Sequence, residues 1–305
     1  MAVSINGTNG ITFNDGTSFS SAEGLGMRNR LINGAMAVDQ RNAGASHTLT
    51  AGSNVYGVDR WFTLATGANA TGQRVTGSAA NTYRYQITGA ASISALTFVQ
   101  RIEAINSADL AGKTVTLSFD MANSLLTTVR VRLSYAGGTD NWSLSTTDFL
   151  DTNVTITSTV TRYSVSVAVP AAATTGIQVQ FSVGAQTSGT WTIGDAQLEV
   201  GNAASPMERR SIGTELALCQ RYYQTGHAAV YGGTTAASSF SPDLIGFVSF
   251  NASMRAAPTI TRSSVTDTNG NATIGSYVSG IKISFDITSG NIGGTQFNFA
   301  ANIEL

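Results

Sequence analysis

One predicted turn gathers the residue types that proteins use to hold sugars. The segment Tyr135-Ala-Gly-Gly-Thr-Asp140-Asn141-Trp142 places two aromatic rings, a carboxylate and an amide around a Gly-Gly turn. Aromatic faces pack against the apolar C–H sides of sugars, while amides and carboxylates hydrogen-bond their hydroxyl groups. In Tyr83-Arg84-Tyr85, both tyrosines would share one face of a strand. The sequence therefore predicts a carbohydrate-binding surface made by Tyr83, Tyr85, Tyr135, Asp140, Asn141 and Trp142.

The alternative role for these aromatic side chains is packing in a hydrophobic core. Among the three tryptophans, core packing is the favoured role for Trp61 and Trp191. Trp142 follows polar turn residues, so it fits a core position and a binding surface equally well.

Patterns for catalysis and metal binding are weak. Neither of the two histidines, His47 and His227, accompanies a Gly-x-Ser-x-Gly nucleophile elbow or a zinc-ligand spacing. The single cysteine, Cys219, cannot form an intrachain disulfide and fits a small buried side chain on a helix. Gly24-Leu-Gly26-Met-Arg-Asn29 lacks the third glycine of a dinucleotide fingerprint. We predict no catalytic residue, no metal and no cofactor, although two carboxylates that meet only in space could still hydrolyse a glycoside.

Charge and hydropathy narrow the class of protein. Of the 305 residues, 42% are hydrophobic and 11% are charged, and the formal net charge is −1. The usual charged share is about 25%. Only two of the 17 basic residues are lysines and no basic run exists, which argues against a nucleic-acid partner. No apolar run approaches the roughly 20 residues of a membrane span, and the first seven residues lack the pattern of a secretory signal. We expect a folded protein that is made in a cytoplasm and does not insert into membranes.

Alternating side chains predict an antiparallel β-sandwich over residues 28–208. Apolar residues occupy every second position of several short segments, which Gly-, Thr- and Asn-rich turns separate. This period of two predicts strands with one face on the core and the other in water. The apolar sets are Val115, Leu117 and Phe119; Val129, Val131, Leu133 and Tyr135; Tyr163, Val165, Val167 and Val169; Ile177, Val179, Phe181 and Val183; and Trp191 and Ile193, followed by Leu198 and Val200.

A short helix is predicted to divide the chain. Pro206 interrupts the strand pattern, Thr214 can cap a helix over residues 215–223, and Gly226 can stop it. The residues that would share the buried face of this helix are Leu216, Cys219 and Tyr223. We therefore predict a helical connector over residues 209–226.

Residues 227–305 return to alternating strands. Val248 and Phe250 share one predicted face, and Asn269-Gly270 is typical of a hairpin turn. Further alternating sets are Ile281, Ile283, Phe285 and Ile287, and Phe297, Phe299, Ala301 and Ile303. A domain of fewer than about 80 residues is marginally stable alone. We expect this C-terminal sandwich to pack against other copies of the chain.

Residues 1–27 form a short head with few apolar groups. Ile11 and Phe13 alternate with Thr12, and Asn14-Asp15-Gly16 is typical of a hairpin turn. So short a segment cannot build its own core. It must pair with other copies of the chain or with a partner.

Several segments resemble bacteriophage tail-fibre proteins. Asn29-Arg-Leu-Ile-Asn-Gly34-Ala-Met-Ala-Val-Asp-Gln-Arg41, followed by Tyr56-Gly-Val-Asp59-Arg-Trp61, resembles the opening of a domain common in those fibres. Gly194-Asp-Ala-Gln-Leu-Glu-Val-Gly201 and Ser205-Pro-Met-Glu-Arg-Arg210 resemble its closing strand and exit. Residues 213–223 resemble the helix that follows, and residues 10–17 resemble the virion-attachment piece. In family order, these segments extend over about two-thirds of the chain.

The resemblance implies an architecture and partners. It implies a jelly-roll domain similar to carbohydrate-binding modules over residues 28–208, an intertwined homotrimer, and a receptor-binding tip over residues 227–305, where residues 250–259 resemble fibre tips. The head would attach to a phage tail, baseplate or adaptor protein through Ile11, Phe13 and Phe19. Some jelly-roll modules hold a structural Ca²⁺, for which Asp195 is a candidate ligand without a matching partner set.

Together with these patterns, the resemblance implies a non-enzymatic tail-fibre protein of a phage virion. A tail fibre of this kind would bind a host-surface glycan or outer-membrane protein through many weak contacts. Two alternatives remain open. One is a head fibre, cement or adaptor protein that never contacts the host, and the other is a polysaccharide depolymerase spike, although no β-helix repeat is present.

Overall fold

The structure is a computed structural model that describes residues 27–79, 82–233, 244–287 and 292–305, and the backbone of three short strands that precede them. It divides into two compact units. The first comprises Met1–Ile212 with Leu305, and the second comprises Gly213–Glu304.

The three N-terminal strands form one antiparallel sheet. They are β1 (Ser4–Asn6), β2 (Gly10–Thr12) and β3 (Ser18–Phe19), in that order. Ile11 lies opposite Phe19, so β2 and β3 pair across the predicted turn. Phe13 and the predicted Asn14-Asp15-Gly16 turn lie outside the described residues. The part of Ile11, Phe13 and Phe19 in virion attachment stays a prediction.

The first unit contains two six-stranded antiparallel sheets. In spatial order, sheet I comprises β13 (Thr161–Ala168), β10 (Thr114–Asn123), β15 (Thr190–Val200), β8 (Tyr83–Thr88), β7 (Ala70–Thr76) and β4 (His47–Leu49). In spatial order, sheet II comprises β12 (Thr147–Thr155), β11 (Thr128–Tyr135), β14 (Ile177–Val183), β9 (Ala95–Ile102), β6 (Phe62–Thr66) and β5 (Asn54–Tyr56). The helix α1 (Ala104–Ser107) and a 3₁₀ turn (Ala108–Leu110) connect β9 to β10.

The strand order of these sheets is that of a jelly roll. Strands β11 and β12 pair in sheet II, β10 and β13 in sheet I, β9 and β14 in sheet II, and β8 and β15 in sheet I. This part of the chain therefore runs as one long hairpin. Its successive strand pairs lie alternately in the two sheets, which is the winding of a jelly roll. The predicted all-β fold with a jelly-roll sandwich is confirmed.

The predicted apolar sets fill the space between the sheets. Val115, Leu117 and Phe119 of β10 are fully buried, as are Ile177, Val179 and Phe181 of β14. The Trp61 ring stacks on Phe98 with 4.7 Å between centroids and nearly parallel planes. Trp61 and Trp191 are both fully buried, which confirms that these two tryptophans are core residues.

The middle of the outer face of sheet I is covered by the chain itself. Thr116, Ser118, Gln197 and Glu199 point away from the core, yet each is at most 4% exposed. The segment after β15 hydrogen-bonds three of these side chains: the Thr116 hydroxyl donates to the Gly201 carbonyl at 2.8 Å, the Glu208 backbone N–H donates to Gln197 Oε1 at 2.7 Å, and the Ser205 backbone N–H donates to Glu199 Oε1 at 2.8 Å. The Ser118 hydroxyl instead accepts from Arg162 Nη2 of β13 at 2.6 Å. One wet face for every sheet was therefore the wrong prediction here, because these side chains bind the exit segment or Arg162 instead of water.

Asn29 joins the entry of the sandwich to its last strand. Its Oδ1 accepts hydrogen bonds from the backbone N–H groups of Leu31 and Leu198, and its Nδ2 donates to the Ala196 carbonyl at 3.0 Å. The Asn29 backbone N–H in turn donates to Glu208 Oε2 at 2.7 Å. Residues of the opening and closing motifs thus hydrogen-bond the two ends of the jelly roll to each other. Their role is to stabilise the fold.

Asn33, in the same opening motif as Asn29, and Asp59, in the second opening motif, are also buried and bonded internally. Asn33 Nδ2 donates to the carbonyls of Val38 and Asp59, and Asn33 Oδ1 accepts from the Val38 backbone N–H at 2.9 Å. The Trp61 indole donates to the Asn33 carbonyl at 3.1 Å. Fully bonded networks of this kind specify a unique packing.

The second unit is a smaller β-sandwich preceded by helix α2 (Ile212–Gln220). One sheet has the order β16 (Tyr223–Gly233), β21 (Ile292–Asn302), β18 (Thr259–Thr268). The other has the order β17 (Leu244–Ser249), β20 (Gly280–Ile287), β19 (Gly270–Tyr277). The buried residues of its core include Ala228, Met254, Ile281, Ile283, Phe297, Phe299 and Ala301. The predicted C-terminal sandwich is confirmed, whereas its packing against other copies stays a prediction.

Helix α2 starts and ends earlier than predicted. It begins at Ile212, ahead of Thr214, and Tyr223 is already the first residue of β16. Gly226 does not stop a helix but lies within β16, opposite Phe299. A Cβ atom on Gly226 would come within 2.6 Å of the Phe299 ring, so this glycine serves close packing of strand and ring. Cys219 is fully buried on the helix, as predicted.

Asn269-Gly270 is a corner between sheets, so the predicted hairpin is wrong. Asn269 adopts a left-handed φ of 57°, as asparagine in a tight turn often does. The strands on either side do not pair with each other, because β18 pairs with β21 and β19 pairs with β20. A local turn signal does not specify which partners the flanking strands take.

No helix in the described part of the chain is both long and apolar enough to cross a membrane.

Candidate functional site

Two of the predicted sugar-binding residues lie on the inner side of the jelly roll. Tyr85 is fully buried, its ring stacks on Phe98 at 5.2 Å, and its hydroxyl lies 2.9 Å from His47 Nε2. Burial raises the pKa of Tyr85 and lowers that of His47, because both charged forms lose water. Tyr83 packs partly buried against the same core, with the Arg74 guanidinium 4.6 Å from its ring centroid. Tyr85 therefore cannot contact a glycan, and the pairing of the two tyrosines on one face reflects core packing.

The predicted turn is held on the jelly roll by its acidic residue. Asp140 has a left-handed φ of 52°, and its Oδ1 accepts a 2.7 Å hydrogen bond from the Ala104 backbone N–H at the start of α1. Tyr135 faces inward and packs partly buried against the core. Asn141 is exposed, and its Oδ1 accepts from the Ser143 backbone N–H at 3.1 Å. Among these turn residues, Trp142 is half-buried and borders the outer face of sheet II.

Arg101 lies between two aromatic rings on this outer face. Its guanidinium carbon is 5.1 Å from the centroid of Phe62 and 5.1 Å from the centroid of Trp142. Cations over aromatic faces at this distance are attracted by the ring electrons. Arg101 Nε also donates to Gln178 Oε1 at 3.0 Å. Strands β6 and β9 and the 135–142 turn thus position Trp142 with its ring against a fixed cation.

A row of amides and hydroxyls continues from Arg101 along β14. Gln178 Nε2 donates to Gln180 Oε1 at 3.3 Å, and Gln180 Nε2 donates to the Ser182 hydroxyl at 3.0 Å. The Ser182 hydroxyl in turn lies 3.2 Å from the Thr97 hydroxyl of β9. Gln178 is nearly buried, whereas Gln180 and Ser182 are half-buried. These side chains form a polar strip with defined donor and acceptor directions.

Two arginine–aspartate pairs border the strip on β11 and β12. Arg132 contacts Asp148 through both Nε, at 3.0 Å, and Nη2, at 2.7 Å. Arg130 Nε donates to Asp151 Oδ1 at 2.7 Å, and this hydrogen bond lowers the pKa of the Asp151 carboxyl. Exposed pairs of this kind add little stability. They leave the surface nearly neutral while they present fixed hydrogen-bonding groups.

We call Trp142, Arg101, Gln180, Ser182, Arg132 and Asp148 the sheet II face. It combines one partly exposed aromatic ring with a row of polar side chains on a rigid sheet, the two components that sugar recognition uses. Of the predicted site residues, Trp142 belongs to this face, while Tyr83, Tyr85 and Tyr135 pack against the core. The alternation of β14 already placed Gln178 and Gln180 outward, so the amide strip had a signal in the sequence. No sequence signal indicated that Arg101 would meet Phe62 and Trp142, because these three residues are far apart in the chain.

The described residues hold no group of three acidic, histidine or cysteine side chains that could bind a metal ion. The Asp195 carboxylate, the candidate Ca²⁺ ligand, instead contacts two arginines: Arg209 Nη2 at 2.7 Å and Arg84 Nη1 at 3.6 Å. Ca²⁺ requires six to eight oxygen ligands. Guanidinium groups on this carboxylate do not fit such a site.

No known family model and no curated protein matches this chain. Among solved structures, it is similar to a CBM4 carbohydrate-binding module at 20% identity, over 55% of this chain and 98% of that one, with a TM-score of 0.36. It is also similar to a CBM61 module in complex with β-1,4-galactotriose, at 13% identity, over 57% and 99% of the two chains, with a TM-score of 0.33.

A third similar structure is the enzymatically active domain of tailspike protein 4 of bacteriophage CBA120. The identity is 14% and the TM-score 0.35, over 57% of this chain and only 22% of the tailspike chain. Because all three TM-scores lie below 0.5, the assignment of the jelly roll rests on its own strand order. The solved structures similar to this chain thus include carbohydrate-binding modules and a phage tailspike domain.

Proposed function

We propose that this chain is a non-enzymatic, glycan-binding tail-fibre protein of a phage virion, and that it attaches the particle to a glycan on the host surface. The sheet II face is the observation that carries the glycan-binding part. It offers an aromatic ring beside directed polar groups on a nearly neutral surface, which suits a ligand rich in hydroxyl groups.

Gln180 is the polar residue of this face best suited to read a sugar hydroxyl. A side-chain amide has two N–H donors and an oxygen with two lone pairs. Gln180 uses one donor for Ser182 and one lone pair for Gln178, so it retains a donor and an acceptor. Its neighbours fix its orientation in advance, which lowers the entropic cost of binding.

The virion part of the proposal is supported by the resemblance of the chain's motifs to tail-fibre proteins. The head of β1, β2 and β3 would attach to a phage tail, baseplate or adaptor protein through Ile11, Phe13 and Phe19. Three copies would form a homotrimer, whose C-terminal units contact a host glycan or an outer-membrane protein. Repetition of weak sites on linked chains raises overall affinity by factors of about 10² to 10⁴.

The carboxylate of this face, Asp148, and the neighbouring Asp151 support the non-enzymatic part of the proposal. Glycoside hydrolysis needs a carboxylic acid whose pKa is raised, so that it can protonate the leaving oxygen. Asp148 and Asp151 each face an arginine, and the pKa of Asp151 is lowered. This favours adhesion over a depolymerase spike.

A binding assay on immobilised host polysaccharide tests this function. We expect purified full-length protein to bind, to release no oligosaccharide and to block phage adsorption when present in excess. Gln180→Ala should weaken binding about fivefold, since a hydrogen bond contributes about 1 kcal/mol. Gln73→Ala removes an exposed glutamine of β7 in sheet I and should leave binding unchanged.

Each contrary result favours a defined alternative. Release of oligosaccharides would replace adhesion by depolymerase activity. Absence of polysaccharide binding, together with unimpaired phage adsorption, would instead indicate a virion component that never contacts the host.

A further inference from the structure

The second unit carries an exposed aromatic surface that its own core does not use. Phe247 of β17 is 54% exposed and Tyr277 of β19 is 50% exposed. Phe247 is the Cα partner of Lys282 and Tyr277 is the Cα partner of Gly280, both on β20. Directly paired residues point to the same side of a sheet. Both rings therefore lie on the outer face, opposite the buried Ile281 and Ile283.

Glycines beneath these rings allow them to lie against the sheet. A Cβ atom on Gly280 would come within 2.7 Å of Phe247 Cζ, so the Phe247 ring extends over this glycine, which is itself buried. A Cβ atom on Gly275 would lie 3.5 Å from Tyr277 Cε2, which places the second ring over the second glycine. Rings that lie over a strand present a face to the solvent instead of filling a core.

One cation, Lys282, and small hydroxyl residues surround the two rings. Lys282 is half-buried and is the Cα partner of Phe247 on one side and of Gly275 on the other, and the other outward positions of these strands include Ser249, Ser284 and Thr273. The two rings stand on β17 and β19, on either side of β20, whose backbones are two strand spacings or about 10 Å apart. Two aromatic faces on the same side of one sheet, with an ammonium and hydroxyls beside them, match the apolar faces and hydroxyl groups of successive sugars.

We propose that Phe247, Tyr277 and Lys282 form a second glycan-binding site, which we call the aromatic platform. Its ligand is a neutral hexopyranose oligosaccharide of at least two units, whose rings stack on Phe247 and Tyr277 while Lys282 donates to a hydroxyl. The site deepens the proposed function, since it assigns the C-terminal unit its own class of receptor.

A second copy of the chain is a poorer occupant of this face. Stable protein interfaces bury about 800 Å² per partner and involve about 20–30 residues a side. Here the exposed large apolar side chains on the outer face are Ile245, Phe247 and Tyr277, among small hydroxyl residues and glycines. Their number suits sugars better than a protein surface.

Saturation-transfer difference NMR tests the platform with lactose, cellobiose and maltose as probes. The full chain is first changed by Trp142→Ala and Gln180→Ala, so that the sheet II face no longer contributes. We expect the sugar protons still to receive saturation. Phe247→Ala and Tyr277→Ala, added singly, should each reduce that signal at least fivefold. Ile245→Ala, on the same face and 61% exposed, is the matched control and should leave the signal unchanged.

The variant Phe247→Tyr controls for loss of folding in Phe247→Ala, because an aromatic ring over a glycine also stabilises a strand. It retains the ring and should retain the signal. The proposal is overturned if no probe receives saturation, or if Phe247→Ala and Tyr277→Ala leave the signal intact. If Trp142→Ala and Gln180→Ala abolish the wild-type signal on their own, the platform fails and the proposed function stands. Sedimentation that changes with Ile245→Ala would instead indicate self-association and also overturn the platform.

Discussion

Gly34→Ala should lower the free energy of unfolding by about 3 kcal/mol, at the upper end of the range for overpacked sites. The added Cβ atom would lie 2.0 Å from the backbone oxygen of Ala196 and 3.0 Å from Asn29 Nδ2. The backbones are already joined there, because the Ala196 N–H donates to the Gly34 carbonyl at 2.9 Å. A backbone atom cannot rotate away as a side chain can, so the entry segment would have to separate from β15. Urea unfolding measures the change.

Gly184→Ala is the matched control for this prediction. Nothing lies within 4 Å of a Cβ atom at Gly184, and its φ does not require glycine. We expect the control to unfold at the wild-type urea concentration. Equal stability of the Gly34 and Gly184 variants would mean that the entry and the last strand are not packed together as described.

Trp142→Ala should weaken glycan binding about tenfold or more, which corresponds to about 1.4 kcal/mol. Truncation removes the partly exposed ring of the sheet II face and one of the two rings that hold Arg101. Aromatic residues at the centre of binding surfaces contribute more than other residue types. Isothermal titration calorimetry with the polysaccharide that the wild type binds gives the affinity.

Leu144→Ala controls for damage to the same turn. Leu144 is 51% exposed and lies two residues from Trp142, so its loss perturbs the turn without removing an aromatic ring. We expect its affinity to equal that of the wild type. If the two variants bind equally well, Trp142 takes no part in the site.

The jelly roll was predictable because its strands obey a simple rule. Val129, Val131 and Leu133 alternate with Arg130 and Arg132, and the structure buries the first set and leaves the second at the surface. The alternation rule holds where one face of a strand packs on the core and the other face meets water. Thr116 and Ser118 broke the rule without a signal, because their hydrogen-bond partners, Gly201 and Arg162, follow much later in the chain.

The end of the helix was mispredicted because a local signal met a long-range contact. Glycine is common just after the last residue of a helix, yet Gly226 lies in β16, which pairs with β21 from Tyr223 onward. Pairing over eleven residues outweighs the helical tendency of the last turn. The local sequence around Gly226 contains β16 but not its partner β21, so it could not indicate this pairing.

For the candidate binding residues, local sequence signals likewise indicated the residue type but not which face of the strand is buried. Trp142 had a local signal, since an aromatic residue after polar turn residues stands out in the sequence. Tyr85 had the same type of signal, but its strand turns that face inward toward Phe98. Period-two alternation predicts that Tyr83 and Tyr85 share a face, but it does not say which face the core covers.

The quenching of tryptophan fluorescence by acrylamide tests the central claim most directly, because the three tryptophans separate by burial. Trp61 and Trp191 are fully buried and should be quenched little, whereas the half-buried Trp142 should account for the accessible signal. We predict that a saturating glycan protects this accessible fraction in the wild type, and that Trp142→Phe removes both the fraction and its protection. A glycan that binds with full affinity and leaves the quenching of Trp142 unchanged would contradict binding at the sheet II face.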